Sequence, residues 1–284
     1  MVVVGDVMAD VVATLAGPVA RGSDTPAEIA RRGGGAGANL AAWLARTDTP
    51  VTLIARVGDD PPGRSAAAEL QAEGVDARLQ VDATRPTGTC VVLVEPGGER
   101  TMLPDAGANA GLRIAPLPAG ASHLHVAGYA LLQPGSRPAA RALMASALAA
   151  GLPVSVDPSS AAPLARAGPA TFLDWIQGAG LLIPNRDEAA VLAGVAQPEP
   201  AARALCARAG EVVVKLGAGG ALWTDGSRVV HCSAAAVEPV DTTGAGDAFA
   251  AGLLAARLAG AAPAEALAAA CALAARAVVR PGGR

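Results

Sequence analysis

The sequence predicts an α/β fold with a mainly parallel sheet covered by helices on both faces. Short runs rich in valine, isoleucine and leucine alternate along the chain with longer stretches rich in alanine. Strands that are apolar throughout are typical of parallel sheets buried on both sides. The chain has 284 residues, of which 52% are hydrophobic, so it can bury a sizeable core.

The regular elements are predicted from these runs, taken in order along the chain. β-Branched segments predict strands, whereas alanine-rich segments predict helices. Strands are predicted at residues 2–4, 51–57, 90–95, 123–127, 154–157, 181–184 and 211–216. Helices are predicted at residues 37–46, 64–73, 137–150, 187–193, 244–258 and 263–279. Because ligands bind beyond the carboxyl ends of strands in such sheets, glycine clusters that follow strands are the places to look for a site.

One region breaks the alternation of strands and helices. Residues 88–95 and 99–103 predict two antiparallel strands joined by a Pro-Gly-Gly link at 96–98, which suits a tight reversal. A further strand-like stretch at 11–15 is predicted to join them. We therefore expect one domain spanning residues 1–284, with a small β element that projects from the main sheet and is formed by segments at about 10–30 and 78–105.

The composition argues against several classes of protein. The net charge is −3 with both signs interspersed, which argues against a nucleic-acid partner. No apolar run reaches the length of a membrane span, and the N-terminus lacks the pattern of a signal peptide. The 4 cysteines are scattered without a Cys-x-x-Cys pair, so neither a zinc site nor a redox motif is expected. A reducing, cytoplasmic location fits best.

The strongest functional signal is the segment 240–249, Val-Asp-Thr-Thr-Gly-Ala-Gly-Asp-Ala-Phe, which opens an amphipathic helix. Small residues at Gly244, Ala245 and Gly246 leave amide N–H groups uncovered at a helix N-terminus, where the dipole favours anions. Asp247 follows in the first turn, where a carboxylate can simply complement the dipole. Beside a phosphate-binding turn, it fits instead a base that takes a proton from a neighbouring hydroxyl.

Residues 241–249 resemble the C-terminal signature of the ribokinase-like (PfkB) carbohydrate kinase family. The glycine-rich turn at 33–41 resembles its N-terminal signature, which continues at 57–63, and the matches run from Gly5 to Phe249 in the expected order. The resemblance implies a three-layer α/β/α sandwich with a small β-sheet lid. It also implies that ATP, with Mg²⁺, donates its γ-phosphoryl group to a primary hydroxyl of a small sugar or sugar acid, with Asp247 as base and the 244–246 amides as anion hole.

The same resemblance assigns acceptor binding to Asp10, Gly34, Gly35 and Asn39. Small residues let substrate hydroxyls approach the backbone, although a glycine-rich turn can equally be a structural helix start. Asn39 is expected to anchor either the loop or a hydroxyl. Asp10, in the opening segment 5–10, is expected to accept hydrogen bonds from two adjacent hydroxyls.

Nucleotide binding is assigned by the resemblance to two further segments. Asn185 and Glu188 match an Asn-x-x-Glu motif whose oxygens suit Mg²⁺, often through water. The alternative is a capping box, in which the two side chains only close the start of a helix. The strand and turn that contain Lys215, Gly217 and Gly220 are expected to lie against the nucleotide, although glycines also permit a tight hairpin without a ligand, and Lys215 can face a phosphate or solvent.

The resemblance carries further expectations about ions and assembly. Asp241 and Thr243 match positions that contribute to a K⁺ site in relatives, with the remaining ligands expected from the loop at 280–283. Many relatives form homodimers through the lid. A phosphorylated sugar as acceptor would require nearby cations, for which Arg100 and Arg32 are the candidates.

Three other classes of protein share some of these sequence features. A nucleoside kinase with an adenosine-like acceptor is an alternative on the same fold, although only 2% of residues are aromatic. A non-catalytic sugar- or nucleotide-binding protein would be expected to lack Asp247. A Rossmann-type oxidoreductase requires Gly-x-Gly-x-x-Gly after the first strand, and the chain has Gly-Asp-Val-Met there instead.

Overall fold

The computed structural model describes residues 1–97, 99–280 and 282–284. In chain order, the strands in these residues are β1 (Val2–Val4), β2 (Met8–Leu15), β3 (Ala27–Gly34), β4 (Thr52–Gly58), β5 (Asp76–Asp82), β6 (Gly88–Val94), β7 (Arg100–Asp105), β8 (Leu124–Ala127), β9 (Val154–Asp157), β10 (Leu181–Leu182), β11 (Glu211–Lys215), β12 (Ala221–Thr224) and β13 (Val229–Cys232). The α-helices are α1 (Ala36–Ala45), α2 (Pro61–Ala72), α3 (Gly128–Leu132), α4 (Arg137–Ala149), α5 (Ala161–Ala167), α6 (Pro169–Trp175), α7 (Arg186–Ala193), α8 (Pro198–Ala209), α9 (Ala245–Leu258) and α10 (Pro263–Val278).

The main sheet has the strand order β13-β12-β11-β10-β9-β8-β1-β4-β5. The run from β11 to β5 is parallel throughout, and β12 and β13 add an antiparallel hairpin at one edge. The carboxyl ends of β1, β9, β10 and β11 therefore lie along one edge of the sheet. This is the edge at which open α/β sheets bind their ligands.

Helices cover both faces of the sheet, as predicted. Strand β1 shows why its residues must all be apolar: Val3 faces one core, while Val2 and Val4 face the other. The first core contains Leu44 of α1 and Phe249 of α9, and the second contains residues of α4, α6 and α8. The three-layer sandwich is confirmed, and helix–sheet packing rests on small aliphatic side chains.

The projecting β element is a separate sheet with the order β3-β2-β6-β7, which we call the lid. Its inner face is formed by Met8, Cys90 and Val92. The lid begins at Met8 and resumes at Gly88, which differs from the segments expected at about 10–30 and 78–105. Residues 78–82 belong instead to β5, because they pair with β4 at the edge of the main sheet.

Most predicted elements are present, with ends that differ by a few residues. The strand predicted at 181–184 is shortened to Leu181–Leu182, since Pro184 has no N–H to donate. Strands β3, β5, β12 and β13 and helices α3, α5, α6 and α8 were not among the predicted elements. Strand β3 is rich in polar residues and glycine, and it forms by pairing along its whole length with β2.

Two expectations touch residues outside the described part of the chain. The Pro-Gly-Gly link includes Gly98, and the loop at 280–283 includes Pro281. Among the described helices, none is long and apolar enough to cross a membrane.

Candidate active site

The turn that opens α9 presents free amide donors. Gly244 precedes the helix with φ 72°, a left-handed conformation that favours glycine. A side chain there would also come within 2.4 Å of the Gly283 carbonyl oxygen. Within the described chain, no protein acceptor takes the N–H groups of Gly246 and Asp247, whereas Ala245 donates to the Thr242 carbonyl at 3.3 Å. The predicted anion-binding turn is therefore open to a ligand.

Asp247 lies between two cavities and lines both of them. Its Oδ2 atom accepts a hydrogen bond from Nδ2 of Asn39 at 2.9 Å. Burial raises the pKa of the Asp247 carboxyl to about 8; the Asn39 hydrogen bond opposes this rise, and the Asp157 carboxylate adds to it. A carboxylate poised near neutral pH in a cleft has the properties of a general base.

The larger cavity has a volume of about 800 Å³ and lies between the main sheet and the lid. Its polar floor is formed by Asp6, Asp10, Asn39 and Asp247, with Gly35 beside them. The remaining walls combine apolar and aromatic side chains, such as Met8, Val92, Tyr129 and Trp175, with polar and charged ones, which include Gln133, Ser136, Arg137, Ser159 and Arg166. Polar groups that converge in a partly apolar pocket are typical of a small-molecule site.

Two carboxylates crowd the floor of this cavity. Burial raises the pKa of Asp10 to about 6, the nearby Asp6 charge raises it further, and Arg284 opposes both effects. Burial also raises the pKa of Asp6, which accepts a hydrogen bond from the N–H of Gly37 at 3.2 Å. Gly34 lies directly behind Asp10, where a side chain would come within 2.2 Å of Oδ2. Gly34 therefore makes room for the Asp10 carboxylate.

Asn39 brings an unsatisfied atom to the same floor. Its Nδ2 atom is engaged by Asp247, but its buried Oδ1 atom has no hydrogen-bond partner in the described chain. A buried acceptor without a donor carries a free-energy cost of about 1–3 kcal/mol. A substrate hydroxyl that donates to Oδ1 would remove that cost.

The smaller cavity, of about 290 Å³, lies on the other side of Asp247. It is lined by Asn185, Glu188, Lys215 and Gly217, together with Gly246 of the anion-binding turn. The expected nucleotide-binding residues thus come together, with one exception. Gly220 packs against the backbone at the β12–β13 hairpin, where a side chain would come within 2.0 Å of the Cys232 carbonyl oxygen.

Asn185 and Glu188 form the capping box of α7. Asn185 Oδ1 accepts from the Glu188 N–H at 2.9 Å, and Glu188 Oε2 accepts from the Asn185 N–H at 2.8 Å. Burial raises the pKa of the Glu188 carboxyl to about 7, against the charge of Lys215. The motif can therefore cap the helix and also help to bind Mg²⁺, because Asn185 and Glu188 still line the smaller cavity.

Lys215 forms a close ion pair with Asp157 in the smaller cavity. The Nζ and Oδ2 atoms lie 2.5 Å apart, and both side chains are largely buried. Although burial lowers the pKa of Lys215, the Asp157 and Glu188 charges raise it above its ordinary value. Gly246 faces the same ammonium, which would lie 3.5 Å from a side chain at that position. A positive charge therefore lies beside the anion-binding turn.

The loop before this turn is held from two directions. Asp241 accepts hydrogen bonds from the N–H groups of Thr243, at 2.7 Å, and Gly282, at 2.9 Å. Burial raises the pKa of Asp241, but these bonds and the charge of Arg100 outweigh burial and keep it below its ordinary value. Arg100 is thus engaged by Asp241, and its charge is not directed to a phosphorylated acceptor.

Sequence reasoning missed several polar residues of the site, which include Asp6, Asp157 and Asn109. Asp157 ends a predicted strand at the carboxyl edge of the sheet, which was a usable signal. Asn109 gave no such signal, since it lies in a short 3₁₀ turn; its side chain exchanges two hydrogen bonds with the backbone of Val7 and fixes the turn after β1.

A magnesium ion would depend on ligands from outside the protein. In the described residues, no group of three or more His, Cys, Asp or Glu side chains is arranged to hold a metal alone. Asp157, Asn185 and Glu188 nevertheless supply oxygen atoms to the smaller cavity. Because Mg²⁺ usually keeps several waters and binds nucleotide phosphates, this oxygen-lined cavity fits the ion.

The three-layer sheet with its small β lid is the ribokinase-like fold. The chain matches the pfkB family carbohydrate kinases over residues 1–284, belongs to that family and is a carbohydrate kinase. A fructokinase of Klebsiella pneumoniae is 36% identical over 233 residues, which cover 78% of this chain and 76% of that relative.

Two solved structures are also similar. A double-mutant fructokinase from Vibrio cholerae O395, in a form bound to fructose, ADP and potassium ion, is 30% identical, with a TM-score of 0.81 over 99% of this chain and 93% of that chain. An adenosine kinase from Sinorhizobium meliloti has a TM-score of 0.91 over 100% of this chain and 94% of that chain, but its 23% identity speaks for the fold alone.

Proposed function

We propose that the protein transfers the γ-phosphoryl group of ATP to a primary hydroxyl of a small sugar or sugar acid. The observation that carries this proposal is the position of Asp247. Its carboxylate borders both cavities, and it lies at the helix start where the N–H groups of Gly246 and Asp247 have no protein acceptor in the described chain. The acceptor occupies the larger cavity and the triphosphate occupies the smaller one. Asp247 takes the hydroxyl proton, and the amides of residues 244–246 stabilise the charge on the transferred group.

The acceptor is oriented by the polar floor of the larger cavity. Asp10 accepts hydrogen bonds from sugar hydroxyls, and Asn39 accepts one through Oδ1 while it holds Asp247 through Nδ2. Gly35 lines the cavity and lets the acceptor come close to the backbone, whereas Gly34 makes room for the Asp10 carboxylate. Positioning by these groups supplies much of the rate, since the transition state of phosphoryl transfer is loose.

The phosphates are bound by residues of the smaller cavity. Lys215 offers its ammonium to the phosphate oxygens, and the turn that begins at Gly217 lies against the nucleotide. Bound Mg²⁺ would neutralise phosphate charge, and Asn185 and Glu188 would hold its water ligands. The lid closes over the acceptor and excludes water, which limits ATP hydrolysis.

A nucleoside acceptor is the second candidate. Tyr129 and Trp175 both line the larger cavity. They offer aromatic surface for a base, which the low aromatic content of the sequence had argued against. Its volume of about 800 Å³ is also large enough for a second ring beside the sugar.

We also place this kinase in the cytoplasm, with small molecules rather than nucleic acid or membranes as partners. A homodimer through the lid is supported by Ile29 and Leu103, which are 62% and 55% exposed on the lid. A K⁺ ion beside Asp241 and Thr243 finds less support, because Asp241 already receives two amides, the Thr243 hydroxyl and the Arg100 guanidinium.

An ATP-coupled screen of purified protein tests this function. The acceptors are pentoses, hexoses, keto-deoxy sugar acids and nucleosides, each assayed for ADP release and for a phosphorylated product. The control variants are Asp247→Asn, which should lose the activity, and Asp174→Asn, an exposed carboxylate whose change should leave it intact. Phosphorylation of nucleosides alone would favour the second candidate, and no product from any acceptor would contradict the kinase proposal.

A further inference from the structure

Arg100 reaches from the lid to the loop that precedes the anion-binding turn. Its Nη2 atom lies 2.8 Å from Oδ1 of Asp241, and its Nη1 atom donates to Oγ1 of Thr242 at 2.8 Å. The Arg100 side chain is 16% exposed, although the remaining residues of β7 are exposed. This guanidinium is therefore turned inward from an otherwise exposed strand.

Asp241 needs a positive charge beside it. It lies three residues before Gly244, so an uncompensated carboxylate at this point would oppose a phosphate bound in the turn. The sequence resemblance implies that relatives bind a monovalent cation beside the residue that corresponds to Asp241. In this structure, the contacts of Asp241 include two backbone amides, the Thr243 hydroxyl and the Arg100 guanidinium.

The Arg100 contacts leave a monovalent cation poorly accommodated. A carboxylate offers about four lone-pair directions, and on Asp241 they face two amides, the Arg100 guanidinium and the Thr243 hydroxyl. An ion at this carboxylate would also lie beside the guanidinium and be repelled by it. The planar guanidinium also binds two side chains of the loop at once, Asp241 through Nη2 and Thr242 through Nη1.

We infer that Arg100 supplies, from the lid, the positive charge that a monovalent cation supplies in relatives, so that turnover of this kinase does not require K⁺. This inference rests on the proposed function, because it concerns the turn that binds the transferred phosphoryl group. It also makes the turn depend on the lid, since the charge arrives only when β7 lies against the loop.

The first test compares turnover in potassium, sodium and choline chloride at equal ionic strength. The wild-type rate should agree within about twofold across the three salts. The Arg100→Ala and Arg100→Gln variants should lose about tenfold in choline chloride, and added K⁺ or guanidinium should restore part of the loss. Arg100→Gln keeps hydrogen-bonding capacity without the charge. Arg31→Ala is the matched lid control, since Arg31 is exposed on β3, and it should behave as wild type.

Melting temperatures in the same salts report ion binding without an assay of enzyme activity. An ion that binds the native state raises the melting temperature as its concentration rises. The wild-type value should be equal in potassium and choline chloride, whereas Arg100→Ala should gain a K⁺-dependent increase. A K⁺-dependent increase in wild type, or wild-type turnover that falls about tenfold without K⁺, would overturn the inference. Failure of the proposed function would instead appear as no turnover in any salt, and would leave the melting comparison intact.

Discussion

The Nδ2 atom of Asn39 lies 2.9 Å from Oδ2 of Asp247 and donates a hydrogen bond to it. This bond joins the first turn of α1 to the first turn of α9, so it brings the two glycine-rich segments of the sequence together at one carboxylate. It also lowers the pKa of that carboxyl, against the larger rise that burial causes.

The activity should rise with pH as Asp247 loses its proton. With a pKa of about 8 in the free protein, the value of kcat/KM should increase about tenfold per pH unit at lower pH and level off above about pH 8. The measurement is a pH profile of kcat/KM at saturating ATP and limiting acceptor. A flat profile between about pH 6 and pH 9 would contradict the assignment of Asp247 as the titrating base.

The Asp247→Asn variant should become relatively more stable as pH rises. The native carboxyl has a pKa of about 8, above the unfolded value of about 3.9, so native protein binds the extra proton between these values. Wild-type stability therefore falls as pH rises through this window, and the asparagine variant avoids this loss. The difference in melting temperature should grow by about 3 °C or more from about pH 5 to about pH 8. Asp174→Asn should show no such trend.

Lys215→Met should weaken both nucleotide binding and stability. The change leaves Asp157 and Glu188 buried without their cation, which costs about 3–5 kcal/mol for a broken buried pair. The KM for ATP should rise at least about tenfold, whereas the KM for the acceptor should change little. Adding Asp157→Asn should recover part of the stability lost in urea unfolding. A double variant less stable than Lys215→Met would contradict the pairing.

Gly244→Ala should be more damaging than a matched glycine substitution. Gly244 and Gly151 have φ values of 72° and 70°, so both changes cost about 1–2 kcal/mol in backbone strain. At Gly244 the new methyl group would also meet the Gly283 carbonyl oxygen, whereas Gly151 faces open space. Thermal unfolding and kcat should both report a larger loss for Gly244→Ala. Equal losses would show that the contact with Gly283 is unimportant.

The sequence predicted those parts of the site that are local in the chain. The turn at 244–247 could be recognised because three small residues and a carboxylate follow one another before an apolar helix. The capping box of Asn185 and Glu188 is local in the same way, and the structure forms it.

Parts that depend on distant segments could not be predicted in this way. The sequence suggested Arg100 as a ligand for a phosphorylated acceptor. The lid instead places Arg100 against Asp241 and Thr242, although Arg100 and Thr242 are 142 positions apart in the chain. The Lys215–Asp157 pair forms only because β9 and β11 flank β10 in the sheet. Strand β3 likewise has no apolar pattern of its own, and its order comes from pairing with β2.

The central claim is that Asp247 removes the acceptor proton while the adjacent amides hold the phosphoryl group. Its most direct test is a single-turnover measurement of phosphoryl transfer near pH 8. Wild type and Asp247→Asn are compared at saturating ATP and acceptor, and the affinity for ATP is measured on the same samples. The transfer rate of the variant should fall by about 10²–10⁴, with ATP affinity retained within about threefold. A variant that transfers phosphoryl within about tenfold of the wild-type rate would contradict the claim.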